Sequence, residues 1–193
     1  MAKSARQRKR GPRKKPPGNL CNHRGQPVQV GPYQVLAGGC QYLQPQDLAK
    51  ADVLIPLLDK LPPLEFGRQY TVLAAPLQDF GGVPANWEEF LRQQVIPLLE
   101  AGKKVLVFCM AGHGRTGTFL GSLIALLETP EQTPDPIAAV RERHCPKAVE
   151  TITQAEAIFG LRGQPAPKKY RQEFSDKVLG WPRLAEPFRA EEV

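Results

Sequence analysis

Residues 104–108 (KVLVF) are a continuous apolar run of strand length, and only eight residues (CMAGHGRT) separate them from residues 117–127 (GTFLGSLIALL), which are apolar around most of a helix. A strand and a helix that both need cover on more than one side, joined by so short a link, belong in a layered α/β core. The flanking segments fit that frame. Residues 27–39 carry two β-branched runs broken at Gly31-Pro32, which reads as a hairpin or paired edge strands, with Pro32 suited to an edge. Residues 45–50 suggest a short helix, and residues 51–56 (ADVLIP) and 70–75 (YTVLAA) two more buried strands. Trp87, Phe90, Leu91, Val95, Leu98 and Leu99 recur at helical spacing, with Gly102 as a stop and Pro97 expected to kink or shorten the helix. Two further helices are expected over 135–143 and 151–161. The order predicts an α/β fold: a central, largely parallel sheet flanked by helices in a three-layer sandwich.

With 193 residues and 41% hydrophobic content, the chain can bury one good core with length to spare for tails. The net charge of +7 is unevenly placed. Residues 1–24 carry nine Lys or Arg and no acid, and the remainder carries 17 basic and 19 acidic side chains. Residues 1–26 are therefore expected to be a disordered basic arm that meets a polyanion, either nucleic acid or an acidic surface. The globular domain is expected over 27–163. Residues 164–193 read as a tail in which Phe174, Val178, Leu179 and Trp181 could pack as one more helix. No apolar run approaches the roughly 18 residues of a spanning helix, and none of signal-peptide length follows the basic start. The expectation is a cytoplasmic monomer without membrane insertion. Cys21, Cys40, Cys109 and Cys145 stand singly, which argues against a disulfide framework or a structural zinc; Cys21-Asn22-His23 would need distant partners to complete a four-ligand site.

The link at 109–116 meets three demands of phosphate chemistry. A thiol attacks as its thiolate, which a helix N-terminus and a neighbouring cation favour, and Cys109 is placed to have both. Gly112 and Gly114 allow backbone conformations that turn successive N–H groups toward the non-bridging oxygens of a phosphoryl group. Arg115 enters the first helical turn, where its planar fork can hold two of those oxygens in a way Lys cannot. The alternative for Cys109 alone is a small buried hydrophobe at a strand end.

CMAGHGRTG resembles the Cys-x5-Arg-Ser/Thr signature of the protein tyrosine phosphatase superfamily. The resemblance implies Cys109 as nucleophile, Arg115 as phosphate clamp and Thr116 as the hydroxyl that helps the cysteine leave. Met110, Ala111, Gly112, His113, Gly114 and Arg115 would form the phosphate-binding loop. Neither metal nor cofactor is implied. The sequence departs from the family where His usually precedes the cysteine and organises the loop, because Phe108 stands there.

The mechanism also needs a proton for the leaving oxygen and later a base for water. Asp79, in a Gly-rich loop (PLQDFGGVP) after a strand, is the preferred acid, with Phe80 expected to shield it and Gly81-Gly82 to let the loop move; Asp59 is a distant rival. This loop resembles the acid loop of the compact dual-specificity phosphatases. So does residues 141–154 (RERHCPKAVETITQ), which implies that Gln154 positions water and Glu150 braces the phosphate loop. Thr151 and Gln154 read as a capping box. His113, Phe80 and Val83 suggest an apolar rim for an aryl ester. The substrate expected is a phosphorylated protein, mainly phosphotyrosine and more weakly phosphoserine or phosphothreonine. The alternatives are an RNA 5′-phosphatase served by the basic arm and a phosphate-binding module without turnover.

Overall fold

A computed structural model of the chain describes residues 21, 23–60 and 70–179. The β-branched runs on either side of Gly31-Pro32 pair as an antiparallel hairpin, β1 (Arg24–Val30) with β2 (Tyr33–Gly39). Gly31, at φ +55, makes the turn, and Pro32 lies in that turn and not along a strand. Because β1 starts at Arg24, residues 24–26, counted above with the basic arm, are part of the sheet. Residues 1–20 of the arm and Trp181 of the tail lie outside the described residues.

One helical turn, α1 (Pro45–Leu48), precedes β3 (Val53–Pro56), and β4 (Thr71–Val72) and β5 (Val105–Cys109) complete the sheet. Its order is β1-β2-β5-β3-β4, and every pair except β1 with β2 is parallel. The carboxyl ends of β2, β3, β4 and β5 therefore open on one edge, where ligand crevices form in open α/β sheets. The 70–75 run departs from its expected burial. It is the sheet's edge, only Thr71 and Val72 are regular strand, and both are exposed. The Leu73 and Ala75 amides still donate to Leu54 and Pro56 carbonyls, at 2.9 and 3.1 Å.

The helix expected over 85–102 runs from Trp87 to Glu100 in three pieces: α2 (Trp87–Phe90), a π turn (Leu91–Val95) and α3 (Ile96–Glu100). The wide turn, in which the Ile96 amide reaches back to Leu91, lies just before Pro97, which has no amide proton to give. Gly102, at φ +71, ends the run. There follow α4 (Gly114–Leu127), α5 (Pro136–Arg143), α6 (Ile152–Gly160) and α7 (Lys168–Leu179). Among the described residues no helix is long and apolar enough to cross a membrane.

Strand alternation assigns the two faces. Val53, Ile55, Val105, Val107 and Cys109 face the main core, where Phe119, Leu120, Leu123 and Ile124 of α4 are fully buried; each such side chain contributes roughly 1.5–3 kcal/mol. Tyr170 and Phe174 of α7 belong to the same core. Leu54, Leu106 and Phe108 face the other way and meet Leu43, Leu48 and Ala51 around α1. Among the described residues the helical layers are thus unequal, with α1 the one short turn on the second face.

Glu128, just past α4, ties the hairpin to α5. It accepts from the Gly31 amide at 2.8 Å, from the Thr133 hydroxyl, and from both Arg143 Nη atoms at 2.5 and 3.0 Å. Burial alone would push its carboxyl up, but the bonds from Arg143, Thr133 and Gly31 outweigh it and hold the pKa at about 2. A carboxyl depressed by folding stabilises above its unfolded pKa and loses that contribution as pH falls toward the folded value. Glu128→Gln is therefore expected to be less stable than the parent at pH 7, with the gap shrinking by about 3 kcal/mol between pH 4.5 and 2. Urea denaturation of both proteins across that range measures it.

Candidate active site

Cys109 ends β5 at the carboxyl edge of the sheet, and Gly114 begins α4, so the loop between them is flanked by β2 and β3. Backbone contacts hold it tightly. The Cys109 amide donates to Thr116 Oγ1 at 3.0 Å, and its carbonyl accepts from the Cys40 amide at 2.8 Å. A Cβ on Gly39 would stand 2.5 Å from the Ala111 carbonyl carbon, so only glycine lets β2 come this close. Gly112 adopts φ +81 and points its amide at the Cys109 sulfur, 3.2 Å away. Gly114 is helical, and a Cβ there would meet the flexible end of the Glu150 side chain. The sulfur, nearly buried, lies at the N-terminus of a 14-residue helix whose dipole favours an anion.

Arg115 turns inward and is 7% exposed. Nη1 lies 3.5 and 3.4 Å from the carbonyls of Leu57, beyond β3, and Leu77, beyond β4. Nη2 pairs with Asp79 Oδ1 at 3.2 Å, and the buried Nε has no partner. The structure thus brings Asp79 to Arg115 and leaves Asp59 exposed near the end of β3.

Several details differ from the sequence expectations. Asp79 is 59% exposed and Phe80 is 45% exposed, so Phe80 does not shield the carboxylate. Phe80 does take φ +56, a conformation that costs an aromatic residue energy. Gly81 and Gly82 are closely packed: a Cβ on Gly81 would meet Gln78 Cβ at 2.9 Å, and one on Gly82 would meet Thr153 Cγ2 at 3.0 Å. The Thr116 hydroxyl donates to the Gly38 carbonyl at 3.3 Å while accepting the Cys109 amide, which makes it a backbone clasp. Gln154 is buried; Oε1 accepts from the Glu150 amide at 2.8 Å, displacing the expected reciprocal bond to Thr151, and Nε2 has no partner. Thr151 Oγ1 caps Gln154 as expected.

His113 is half-buried, not on the rim. Its ring lies edge-on to His23, centroids 4.9 Å apart, and His144 lies 4.6 Å from His23. His144 Nε2 meets the Gly112 carbonyl at 2.7 Å. Burial lowers the pKa of all three rings, that of His23 to about 4, so they are neutral near pH 7. A second support is Arg141. It donates to the Ala148 and Val149 carbonyls at 2.9 and 3.2 Å, makes two bonds of 2.9 Å to Glu173 on α7, and packs on the Tyr170 and Phe174 rings. It thereby holds Val149 at φ +64 beside Glu150. Sequence gave no sign of this link, because the pairing spans 32 residues.

No family model matches the chain. Two uncharacterized proteins of Methanocaldococcus jannaschii are 33% and 32% identical to it over 96 residues, half of this chain and 58% and 63% of theirs. The chain thus spans less than two thirds of the curated relatives it matches. Among solved structures, Tk-PTP in its active form superposes with a TM-score of 0.57 at 22% identity, over 72% of this chain and 97% of that one. A mutant form of Tk-PTP gives 0.51 at 26% identity, over 61% and 81%. DUSP15 gives 0.53 at 17% identity, over 83% and 98%. The architecture is a phosphatase fold. More closely, it is the protein tyrosine phosphatase fold that Tk-PTP and DUSP15 share.

The loop geometry makes Gly112 sensitive. An alanine there would combine a positive φ with a Cβ 2.9 Å from His23 Cβ, a strain of about 1–3 kcal/mol. Gly112→Ala is expected to weaken binding of an oxyanion such as tungstate by at least tenfold while leaving the far-UV circular dichroism unchanged, as titration calorimetry would measure.

Proposed function

We propose that the chain is a cysteine-dependent phosphoric monoester hydrolase that works through a phosphocysteine intermediate on phosphorylated protein. The observation that carries this reading is the meeting of three groups at the sheet edge: the Cys109 sulfur aligned with the Gly112 amide, a buried Arg115 whose Nε has no partner, and Asp79 within 3.2 Å of the same guanidinium.

A phosphoryl dianion arriving at Arg115 competes with the Asp79 carboxylate for Nη2, which frees Asp79 to take up a proton from solvent and face the leaving group. In the first step the Cys109 thiolate attacks phosphorus. The S–P bond forms as the ester P–O bond breaks, and the protonated Asp79 carboxyl gives its proton to the leaving oxygen. Loop amides and Arg115 take the equatorial oxygens, where charge spreads in the transition state. In the second step Asp79 takes a proton from water, the water oxygen attacks phosphorus, and the P–S bond breaks to restore the thiolate. Gln154 Nε2, buried and unpartnered near Gly114, is suited to orient that water, and Glu150 braces the loop at Gly114. Thr116 serves by fixing the Cys109 backbone. Met110 and Phe80, 46% and 45% exposed, offer apolar surface on the phosphate loop and beside the acid. That favours an aryl ester, hence phosphotyrosine over phosphoserine or phosphothreonine.

Cys109→Ser is expected to abolish turnover of an aryl phosphate while retaining oxyanion binding; appreciable residual activity would refute the nucleophile. Asp79→Asn is expected to slow kcat by roughly 10² to 10⁴, with a smaller loss for esters of acidic phenols, measured by steady-state kinetics across a leaving-group series. Competition among a phosphotyrosine peptide, a phosphoserine peptide and a 5′-phosphorylated RNA tests the substrate class. Faster hydrolysis of the RNA would make the chain an RNA phosphatase, and hydrolysis of none would leave a binding module.

A further inference from the structure

Behind the phosphate loop, four side chains from three distant segments converge. Cys21 and His23 precede β1, His113 lies in the loop, and Cys145 follows α5. One ligand atom from each lies within 4.8 Å of all the others. Cys109 is not among them. We propose that Cys21, His23, His113 and Cys145 form a structural zinc site that clamps the phosphate loop.

Geometry and ligand chemistry carry this independently of one another. The Cys21 and Cys145 sulfurs are 3.6 Å apart. Two thiolates about 2.3 Å from a tetrahedral zinc stand about 3.7 Å from each other, whereas a disulfide requires roughly 2.05 Å. His23 Nε2 and His113 Nε2 are buried with no hydrogen-bond partner. A polar atom in that state costs stability unless something binds it, and a nitrogen lone pair beside two sulfurs is what zinc accepts. His23 Nδ1 meets the Gln26 side-chain amide at 3.1 Å. With the amide oxygen turned to the ring, Nδ1 donates its proton there and Nε2 is left as the ligand, the outer-shell bond common to metal-binding histidines. His144 is not among the four residues whose ligand atoms converge, and its Nε2 is engaged by the Gly112 carbonyl. Two sulfurs and two imidazoles are soft and borderline donors that favour zinc over magnesium or calcium. With four protein ligands the site is closed, so its role is to position and not to react.

The consequence lies in what the four residues join. His113 stands between Gly112, whose amide faces the Cys109 sulfur, and Gly114, which opens α4. A Cβ on Gly112 would press on His23, so the loop already rests on one of the four residues. Metal bound here fixes the loop to the start of β1 and to the α5–α6 connection. The metal-binding claim does not rest on the phosphatase reading.

The test uses the full chain, purified reduced and stripped of metal. Equilibrium dialysis against zinc is expected to leave one ion per chain, and cobalt in its place to give thiolate-to-metal charge-transfer and tetrahedral d–d bands. At a free zinc level a hundredfold above Kd, the melting temperature is expected to rise by roughly 5–10 °C. Cys21→Ser and Cys145→Ser should each lose the charge-transfer intensity by about half or more while retaining the far-UV spectrum, and Cys40→Ser should leave it unchanged. Failure of the reduced wild-type chain to bind zinc or cobalt would overturn the proposal, as would bands that persist in the Cys21→Ser/Cys145→Ser double variant. A chain that takes up no metal but links Cys21 to Cys145 on mild oxidation would carry a redox pair instead, and the zinc site would fall.

Discussion

Arg115 places a full positive charge where water barely reaches, and the architecture around it follows from that. An unpaired guanidinium in such a place would cost several kcal/mol. The compensation comes from two carbonyls and one carboxylate, supplied by two stretches of chain that follow strands: Leu57 after β3, and Leu77 and Asp79 after β4. Two of these contacts are long, 3.4 and 3.5 Å, and Nε is left without a partner. The charge is thus anchored but not fully satisfied. On the proposed reading an oxyanion would complete the set, and the cost of burying the arginine would become part of the affinity for phosphate.

The rest of the structure serves to keep that incomplete arrangement from relaxing. Parallel strands bring four loop entrances to one edge, and Gly39 removes the Cβ that would hold the loop away from β2. Behind this, Arg141 pins the Ala148–Val149 turn and reaches Glu173 on α7, so the tail helix contributes to where Glu150 and Gln154 stand. That dependence runs through a strained valine. Val149 takes φ +64, and the Gly117 backbone packs so closely that a Cβ would lie 2.7 Å from the Val149 nitrogen. A β-branched residue holds such a conformation only when its surroundings over-determine it.

What could be read in advance was whatever is local in sequence. The 104–127 strand and helix were legible because hydrophobic period and length are properties of the segment itself, and the cysteine, glycines and arginine of the loop lie within seven positions. The 70–75 run was overread as a buried strand because an apolar edge and an apolar centre share a composition; only the position of β4 at the end of the sheet distinguishes them. Asp79 was singled out from its Gly-rich loop, and the structure sets it beside Arg115, but Phe80 is 45% exposed and does not shield it. The close packing of Gly82 involves Thr153, which is far along the chain. The Cys21–Cys145 contact spans 124 residues with no repeated spacing, and no local pattern announces such a pair.

Phe108 connects these two kinds of information. Related loops usually have His before the cysteine, and its replacement looks from sequence like a lost support. Strand alternation turns residue 108 toward the second face, where Phe108 is fully buried with Leu54 and Leu106. A polar ring there would need a partner in apolar surroundings. The loop is held by groups from elsewhere: Thr116 joins the Cys109 amide to Gly38, His144 Nε2 engages the Gly112 carbonyl, and the His23 ring packs against Gly112 itself. The imidazoles near this loop come from before β1, from the loop and from after α5, not from β5. Loop order and an apolar residue 108 are therefore compatible, because the supporting polar groups sit where burial leaves them neutral and the strand position is free to pack.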